Sequence, residues 1–268
     1  MTNEAHAVRH PIRLTVGILT LNEARRIAQC IRSAGFADQI VVVDSGSTDG
    51  TREIAQSLGA EVFLHADWQG FAEQRNRLLR HAQGEYIFFL DADEEFTPEL
   101  VKEVQAAIAS GRDAIWEVMW NQVAFGRPLT RMRTTSGVQR LFKRRSVREF
   151  SGIVHEAAQM TTPGLPEIRF KGRLLHYSRE SIHGSLLKLA QYAQLGAAKR
   201  AGAGKRGGVV LGLFSSFATF VRLYFFRGGI LCGAQGFLFC LLVALEGFFR
   251  YAALEYDRGQ LDKLASRG

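Results

Sequence analysis

Cysteine is scarce in this chain, and the few cysteines follow no pattern. Cys30, Cys232 and Cys240 are scattered through 268 residues, with no CxxC pair and no even set. This usage excludes a disulfide framework and is typical of a protein from a reducing compartment. The first 13 residues are polar, include two histidines and lack an apolar core, so the sequence predicts no secretory signal there.

Charge is plentiful and unbalanced, with 34 Lys and Arg against 26 Asp and Glu. The formal net charge of +8 at pH 7 fits either a nucleic-acid partner or anionic lipid and phosphorylated substrates. No nucleic-acid-binding motif accompanies the charge, so we expect no nucleic acid as a partner. The length and an apolar content of 47% allow a substantial core and an appendage.

Strand and helix patterns alternate over the first hundred residues. Short apolar runs predict strands, and the segments between them have helical spacing and polar starts. Strands are predicted at residues 14–19, 40–43, 61–64 and 86–90, and helices at residues 22–34, 48–58, 71–81 and after residue 98. Apolar strands separated by helices indicate an α/β fold with a mainly parallel sheet covered on both faces.

An acidic pair, Asp91 and Asp93, follows the apolar run that ends at Leu90. Ligands of parallel sheets bind beyond the carboxyl ends of the strands, where these carboxylates are expected. A divalent cation on a diphosphate takes oxygen ligands from one or two carboxylates and leaves its other positions for phosphate and water. The pair therefore predicts a metal site. A solvated strand end and the cap of the helix after Pro98 are the alternatives.

Two further motifs stand at predicted strand ends. Thr20-Leu21-Asn22-Glu23 follows the first strand, and Asp44-Ser45-Gly46-Ser47 follows the second. A carboxylate at position 44 can accept hydrogen bonds from a base or ribose, and the small residues after it let a ligand approach the backbone. The same turn is also expected to supply a helix N-cap at Thr48 or Asp49. Because all three motifs lie at carboxyl ends, we expect them to line one cleft.

The pattern changes between residues 111 and 180. Strands are predicted at residues 114–122, 139–143 and 173–177, and this half is expected to supply the acceptor side of the cleft. Its basic loop would attract a phosphorylated, anionic glycolipid, with a solvated basic face as the alternative. The basic residues are Arg127, Arg131, Arg133, Arg140, Lys143, Arg144, Arg145 and Arg148.

The last third contains two apolar stretches, residues 207–226 and 230–249, after an amphipathic helix predicted at 181–200. Each stretch is long enough to cross a bilayer, and basic residues flank both, as expected near anionic lipid. A spanning hairpin would carry Arg222 and Arg227 to the far side, against the positive-inside tendency. We predict a C-terminal apolar helical hairpin that lies in the membrane plane or inserts shallowly. A spanning hairpin and a soluble hairpin are the alternatives.

Four motifs occur in a defined order and spacing within residues 13–96. They are Leu19-Thr20-Leu21-Asn22-Glu23, Val43-Asp44-Ser45-Gly46-Ser47-Thr48-Asp49-Gly50-Thr51, Gln74-Arg75-Asn76 and Leu90-Asp91-Ala92-Asp93-Glu94. This combination resembles family 2 glycosyltransferases with the GT-A fold. The resemblance implies a Rossmann-like, mixed but mainly parallel sheet flanked by helices. It also implies inverting transfer of a sugar from a nucleotide-sugar donor.

The resemblance also implies roles for individual residues. Asp91 and Asp93 would hold Mg²⁺ or Mn²⁺ on the donor diphosphate, which gives Asp93 a part in catalysis. Such a metal acts as a Lewis acid and offsets the charge of the leaving nucleoside diphosphate. For Arg75, a solvated helix face is the alternative. The implied donor-binding residues are Thr20, Asn22, Glu23, Asp44, Ser45, Ser47, Arg75 and Asp91.

Inverting transfer needs a general base for the acceptor hydroxyl, which contributes about 10²–10⁴-fold in rate. In family 2 enzymes a carboxylate of the acceptor half has this role, and Glu156 matches it by order along the chain. Glu94 is the rival, because it adjoins the acidic pair. His155, beside Glu156, is expected to contact phosphate or the metal, with a structural histidine as the alternative.

A narrower resemblance, to bacterial lipopolysaccharide-core glucosyltransferases, rests on the second half of the chain. It implies UDP-glucose as donor, an inner-core heptose on a membrane-anchored glycolipid as acceptor, and acceptor phosphate bound by Arg140, Arg144 and His155. The protein would then be cytoplasmic and peripherally associated with the cytoplasmic face of the bacterial inner membrane. Cys232-Gly233 departs from this pattern, which has an acidic residue there. The motifs are Gln139-Arg140-Leu141-Phe142-Lys143-Arg144, Val154-His155-Glu156, Leu187-Lys188-Leu189-Ala190-Gln191-Tyr192 and Arg227-Gly228-Gly229, with a Phe-rich C-terminus.

Two other functions stay open at this point: transfer to polyprenyl phosphate, and non-catalytic binding of a nucleotide sugar at the membrane. A sugar nucleotidyltransferase is not favoured, because no glycine-rich GxGTR loop follows the first strand. The predicted domain organisation starts with a flexible tail (1–12) and a GT-A glycosyltransferase domain (13–180), divided into a nucleotide-sugar-binding half (13–110) and an acceptor half (111–180). A helical membrane-associating region (181–256) and a second tail (257–268) follow.

Overall fold

The structure, a computed structural model, describes residues 12–133, 137–152, 156–259 and 261. Its strands are β1 (Leu14–Thr20), β2 (Gln39–Asp44), β3 (Glu61–Leu64), β4 (Tyr86–Asp91), β5 (Glu94–Phe96), β6 (Ile115–Ala124), β7 (Arg127–Pro128), β8 (Val138–Lys143), β9 (Val147–Ser151), β10 (Ala157–Met160) and β11 (Glu167–Arg179). Its α-helices are α1 (Ile27–Ser33), α2 (Thr51–Ser57), α3 (Phe71–His81), α4 (Pro98–Ala109), α5 (Ile182–Gly202), α6 (Val209–Val221) and α7 (Gly233–Tyr256).

The main sheet has the strand order β3-β2-β1-β4-β8-β6-β11-β5, with β7 paired to β6. Strands β1 to β4 run parallel, whereas β8 is antiparallel to both β4 and β6. Strands β1, β2 and β4 are almost wholly buried, as continuous apolar runs covered on both faces should be. The predicted mixed sheet flanked by helices is confirmed.

Two helices begin later than predicted. The helix after β1 starts at Ile27 rather than Asn22, because Asn22 has a φ of 55°, a left-handed conformation that a right-handed helix does not contain. The helix after β2 starts at Thr51 with Gly50 at its N-cap and no side-chain cap. The prediction of a cap at Thr48 or Asp49 is therefore wrong, because these residues belong to the preceding loop.

An antiparallel pair, β9 and β10, forms a separate small sheet that the sequence patterns do not predict. Strand β9 is short and mostly exposed, with only Val147 and Phe150 buried, so it shows no regular alternation. Strand β11 is longer than predicted, because it covers Glu167–Arg179 rather than residues 173–177. The small sheet adjoins Glu156, which directly precedes β10.

The chain divides into two compact units. Unit 1 comprises Met1–Met119 and Ser136–Leu174, and unit 2 comprises Trp120–Thr135 and Leu175–Gly268. In unit 1, a core cluster packs Phe89 of β4 against Phe142 of β8 and Phe150 of β9. These rings join the parallel strands to the antiparallel half of the same unit.

In unit 2, α6 and α7 pack against each other as the predicted apolar hairpin. The N–H of Gly208, just before α6, donates to the carbonyl of Tyr251 in α7 at 3.0 Å, so the start of α6 lies beside the end of α7. Two segments, Val209–Phe226 and Gly229–Tyr256, are long and apolar enough to cross a membrane among the described residues. The in-plane or shallow insertion of this hairpin stays a prediction.

Gly84 sets the start of β4, the strand that ends in the acidic pair. A Cβ at this position would lie 2.6 Å from the Thr15 backbone nitrogen and 2.8 Å from the Tyr86 carbonyl oxygen. Because backbone atoms cannot rotate away, we expect Gly84→Ala to lower stability by about 1–3 kcal/mol, measured by thermal denaturation. Gly202→Ala is the control, since its Cβ would meet nothing within 4 Å. Equal melting temperatures for the two variants would contradict this account.

Candidate active site

The carboxyl ends of β1, β2 and β4 bring the three motifs together. In the parallel registers, Thr20 pairs with Asp44 and Leu19 pairs with Asp91. Neighbouring strands of a sheet lie about 4.8 Å apart, so the three strand ends share one edge within roughly 10 Å. This is the crevice in which ligands of open α/β sheets bind.

Asp44 is fully buried, and its carboxylate organises its own loop. Oδ1 accepts hydrogen bonds from the N–H of Gly46 at 2.9 Å and of Ser47 at 2.8 Å, and Oδ2 accepts one from the Ser47 hydroxyl. A buried carboxylate has to be hydrogen-bonded, and here the donors come from the residues that follow it. The carboxylate thereby folds the loop back over the end of β2.

Side chains also join the loops after β1 and β2. The Ser47 hydroxyl accepts from the Asn22 N–H at 2.8 Å, and the Asn22 side-chain oxygen accepts from the Thr48 N–H at 2.9 Å. The Glu23 N–H donates to the Thr51 hydroxyl at 2.9 Å. These bonds explain why the helices begin late, because the polar residues at the predicted helix starts pair with the neighbouring loop instead.

Two buried polar atoms beside these loops have no hydrogen-bond partner in the described part of the chain, Thr20 Oγ1 and Arg52 Nε. The Arg52 atom lies 3.9 Å from Asp44 Oδ1, which is beyond hydrogen-bond distance. Unsatisfied buried polar groups are rare in native proteins and call for an explanation such as a missing ligand or water. Their place at the edge of the sheet fits a polar ligand.

The acidic motif is bound to a buried arginine of β8. Arg140 Nη2 donates to Asp91 Oδ2 and to Glu94 Oε1, both at 2.7 Å. The other oxygen of Glu94 accepts from the Asp91 N–H at 3.0 Å. Burial disfavours the charged guanidinium, but the charges of Asp91 and Glu94 and their hydrogen bonds outweigh it and raise the pKa of Arg140 above its usual value.

Arg75 of α3 connects the acidic motif with the predicted base. Its Nε donates to Glu156 Oε1 at 3.0 Å, and its Nη2 lies 3.7 Å from Asp91 Oδ1. The guanidinium also lies over the rings of Phe89 and Phe150, 5.5 and 5.9 Å from their centroids, where cation–π attraction favours it. Arg75 is only 9% exposed, which excludes the solvated helix face.

Asn76, next to Arg75, fixes the strand that leads to Glu156. Its side chain donates to the Phe150 carbonyl at 3.1 Å and accepts from the Phe150 N–H at 2.7 Å, which satisfies both backbone groups of a β9 residue. Because β10 begins directly after Glu156 and pairs with β9, the position of β9 determines where this carboxylate lies. Asn76 therefore acts on the site through the backbone.

The two carboxylates predicted to hold a metal lie in different surroundings. Asp91 contacts Arg140 and Arg75, whereas Asp93 is half-buried in the turn that follows β4. Within the described residues, no group of three or more His, Cys, Asp or Glu side chains could enclose a metal. One or two carboxylates suffice for a divalent cation that takes its other ligands from a diphosphate and water. The residues thus fit a metal that arrives with a diphosphate ligand.

Cys30 of α1 contacts the same turn. Its thiol lies 3.6 Å from the Asp91 carbonyl oxygen and is fully buried. Burial raises the pKa of the Cys30 thiol well above its ordinary value, and the charges of Glu94, Asp91, Asp93 and Glu95 raise it further. The thiol is therefore neutral at physiological pH, and neutral buried thiols are unreactive.

Two of the three residues predicted to bind acceptor phosphate, Arg140 and Arg144, lie in different places. Arg140 is 2% exposed and faces the acidic motif. Arg144 is exposed, and its Nε donates to the Gly84 carbonyl at 2.9 Å, at the amino end of β4 and about 20 Å along the strand from Asp91. The structure does not bring Arg144 together with the other site residues, and His155 lies outside the described residues.

The roles of Gln74 and Asn76 are not predicted from the sequence, although both flank Arg75. Gln74 is fully buried, and its side-chain amide donates to the Ser45 hydroxyl at 2.8 Å, so it supports the loop after β2. Their signal is three consecutive polar residues on a helix that covers the sheet. A solvated face would turn one or two of them outward, whereas here Gln74 and Arg75 are buried and Asn76 contacts β9.

Residues 15–161 match the family model Glycosyl transferase family 2. The chain is 29% identical to the lipopolysaccharide core biosynthesis glycosyltransferase LpsC of Rhizobium meliloti (strain 1021), over 92% of this chain and 93% of that protein. An uncharacterized glycosyltransferase of Rickettsia bellii (strain RML369-C) is 28% identical, over 90% and 86%. The solved structure of S. aureus TarS 1-349 with UDP-GlcNAc has a TM-score of 0.49 at 17% identity, over 96% and 88%.

Replacing Arg140 tests how much the buried ion pairs stabilise the fold. Arg140→Gln takes the guanidinium away from Glu94, whose side chain is 0% exposed, and we expect it to lower the free energy of unfolding by about 3–5 kcal/mol. The double variant Arg140→Gln/Glu94→Gln should recover most of this loss, because it also removes the buried charge. Urea denaturation followed by fluorescence measures both.

The matched control is Arg145→Gln, an exposed arginine two residues after the same strand, for which we expect a change within about 0.5 kcal/mol. A loss in Arg140→Gln no larger than in this control would show that the buried pairs do not stabilise unit 1.

Proposed function

The chain belongs to glycosyl transferase family 2 and is a glycosyltransferase, and we propose that it transfers a sugar with inversion from a nucleotide sugar to a lipopolysaccharide inner-core acceptor. UDP-glucose is the proposed donor, and a heptose on a membrane-anchored glycolipid is the proposed acceptor. The observation that carries the proposal is the cluster of Asp91, Arg140, Arg75 and Glu156. In it, one guanidinium contacts both the carboxylate proposed to bind metal and the carboxylate proposed as base.

The proposed donor site is the edge formed by the loops after β1 and β2. Asp44, with the backbone of its loop, forms the wall that would meet the nucleoside. Thr20 Oγ1 and Arg52 Nε, which are buried without a hydrogen bond among the described residues, fit polar atoms of a bound nucleotide. Asn22, Glu23, Ser45 and Ser47 would act mainly by holding these loops in place.

Asp91 and Asp93 are proposed to hold Mg²⁺ or Mn²⁺ together with the donor diphosphate. When bound, the metal supplies Lewis-acid stabilisation of the leaving diphosphate. Arg140 holds Asp91 with a charge-assisted bond of 2.7 Å, so the carboxylate is oriented before the donor binds. Glu94 shares that guanidinium and fixes the turn between the two aspartates through the Asp91 N–H.

Glu156 is proposed to accept the proton of the acceptor hydroxyl. Its side chain is 19% exposed, which leaves it accessible to a substrate, and Arg75 fixes one carboxylate oxygen. Glu94, the rival base, is supported less well, because its side chain is 0% exposed. Both of its oxygens already accept hydrogen bonds, from Arg140 and from the Asp91 N–H.

The proposed acceptor and location rest on a relative and on unit 2. LpsC is named for lipopolysaccharide core biosynthesis, and the similarity extends over nearly the full length of both chains. Two apolar helices in unit 2 provide a surface for membrane association. We propose that the protein is peripherally bound at the cytoplasmic face of the bacterial inner membrane, where nucleotide sugars and the lipid-linked acceptor would meet.

Replacing Glu156 tests the base. With UDP-glucose and a truncated inner-core glycolipid, we expect Glu156→Gln to lower turnover by about 10²–10⁴-fold, because the amide cannot accept the proton. Glu149→Gln, an exposed glutamate of β9, is the control and should keep its turnover. Nearly unchanged turnover in Glu156→Gln would contradict the base role and favour a phosphate acceptor such as polyprenyl phosphate, which needs no deprotonation.

Removing the metal tests the acidic pair. We expect chelation by EDTA to abolish transfer and added Mn²⁺ to restore it. In calorimetry with UDP present, Asp93→Asn should weaken Mn²⁺ binding by roughly tenfold or more, as other changes near metal sites do. The reason is that Mn²⁺ loses a carboxylate ligand. Asp257→Asn, after α7, is the control. Unchanged transfer by Asp91→Ala and Asp93→Ala would contradict the role of this pair in metal binding.

A further inference from the structure

We propose that the turn between α6 and α7 inserts into the headgroup-proximal part of an anionic bilayer, while Arg131, Arg133 and Arg222 bind lipid phosphates around it. The apolar turn is defined here as residues 225–231. This inference rests on the proposed function, in which the acceptor is membrane-anchored, and it names the segment that enters the membrane and the lipid chemistry it needs.

The apolar turn exposes large side chains that a water-soluble surface would bury. Phe225 is 55% exposed, Phe226 76%, Ile230 47% and Leu231 59%. Exposed apolar residues are ordinary when they are single, but these four lie within seven residues of one turn. Contiguous exposed apolar side chains mark interaction sites for protein or membrane.

The exposed apolar surface continues along one face of α6. Val210, Leu213, Phe214 and Phe217 are 65%, 56%, 71% and 70% exposed, and their spacing of i, i+3, i+4 and i+7 places them on one helix face. An apolar face along the length of a helix suits a helix that lies in the membrane plane. The turn would then be the deepest point of this face.

The loop that carries two of the arginines is tied to the turn. The Arg133 N–H donates to the Arg227 carbonyl at 2.8 Å, and a Cβ on Gly228 would lie 2.6 Å from the Arg131 carbonyl oxygen. Met132, between the two arginines, is 5% exposed and packs in a cluster with Cys240 of α7. Packing of this residue turns its two neighbours outward.

The arginines supply the charge complementarity that selects a bilayer as partner. Arg131, Arg133 and Arg222 are all exposed, and they lie on the loop and on the helical turn next to the exposed phenylalanines. A guanidinium binds phosphate in a two-pronged geometry, and basic residues near a membrane are attracted by anionic lipid. Apolar side chains bordered by guanidinium groups match the layered chemistry of a lipid surface.

Charged residues of α7 pair with the end of β11 and pack on α5, which argues against a spanning hairpin. Glu246 accepts from Arg250 Nη2 at 2.6 Å and lies 3.6 Å from Arg179 Nη2. The Arg250 side chain packs on α5, since a Cβ on Gly196 would lie 2.3 Å from its Nε. The second half of α7 is thus held to the end of β11 and to α5 by charged side chains. It cannot lie in lipid unless these elements do so too.

Vesicle co-sedimentation tests the apolar turn. On vesicles of phosphatidylcholine with phosphatidylglycerol, we expect Phe225→Ser/Phe226→Ser to bind at least about tenfold more weakly than the unchanged chain, through the loss of buried apolar area. Trp68→Ser/Phe71→Ser removes another exposed aromatic pair, 51% and 52% exposed, and should bind normally. Equal binding by the two double variants would overturn the proposal.

The arginines are tested in the same assay. Arg131→Gln/Arg133→Gln should weaken binding by about thirtyfold, because each basic residue near an anionic surface contributes about fivefold. The loss should disappear on pure phosphatidylcholine, where the unchanged chain itself binds weakly. Arg112→Gln/Arg169→Gln removes the same charge from unit 1 and serves as control. If the control variant loses as much vesicle binding, the effect comes from net charge, and the proposed lipid-phosphate site is overturned.

Depth is tested with Phe226→Trp and brominated lipids. Bromines near the headgroup should quench the added fluorescence more than bromines near the chain ends. Quenching by lipids of the far leaflet would indicate a spanning hairpin and overturn the proposal. It would also be overturned if no lipid quenched the fluorescence and the chain formed a dimer that Phe225→Ser/Phe226→Ser abolishes, because the partner would then be a second copy.

Turnover of a water-soluble, deacylated acceptor separates this proposal from the proposed function. The turn variants should retain turnover of this acceptor. If the unchanged chain does not turn it over, the proposed function is contradicted instead.

Discussion

The candidate active site depends on the sharing of a buried guanidinium, that of Arg140, by two carboxylates. Because both carboxylates contact the same nitrogen of Arg140, Asp91 and Glu94 lie close together and would repel each other without this cation. With Arg140 Nη2 at 2.7 Å from both, Glu94 can be buried, and the two carboxylates are held in one arrangement. Removing Arg140 alone would leave the buried charge of Glu94 without a partner, so the fold and the site depend on keeping these groups together.

The site is assembled from segments that are far apart in the chain. Arg140 is 49 residues from Asp91, and Glu156 is 81 residues from Arg75. Arg140 arrives because β8 pairs with β4, and Glu156 arrives because Asn76 and the ring of Phe150 fix β9 against α3. A change that loosens either pairing therefore alters the chemistry without touching a carboxylate. The packing of unit 1 is part of the site.

The sequence predicted the strand ends well, because continuous apolar runs and parallel topology together determine which loops meet. It predicted helix starts poorly, since Asn22 and Asp49 are good cap residues that instead bond to the neighbouring loop. The pairing of Arg140 with Asp91 could not be predicted, because register between β4 and β8 is a long-range property. The local signal was an arginine directly before the apolar pair Leu141-Phe142, and it fitted a phosphate-binding loop equally well.

Arginine side chains have different electrostatic surroundings in the two units. In unit 1, Arg75 and Arg140 are buried, and each is matched to carboxylates at short distance, so their charge orders the site. In unit 2, Arg131, Arg133 and Arg222 are exposed beside apolar side chains, where a matched carboxylate would cancel the attraction to lipid phosphate that we propose. The guanidinium stays charged in both settings. Buried lysines shift their pKa readily, whereas arginine stays charged, so the requirement for arginine is strictest where the group is buried, as at position 140.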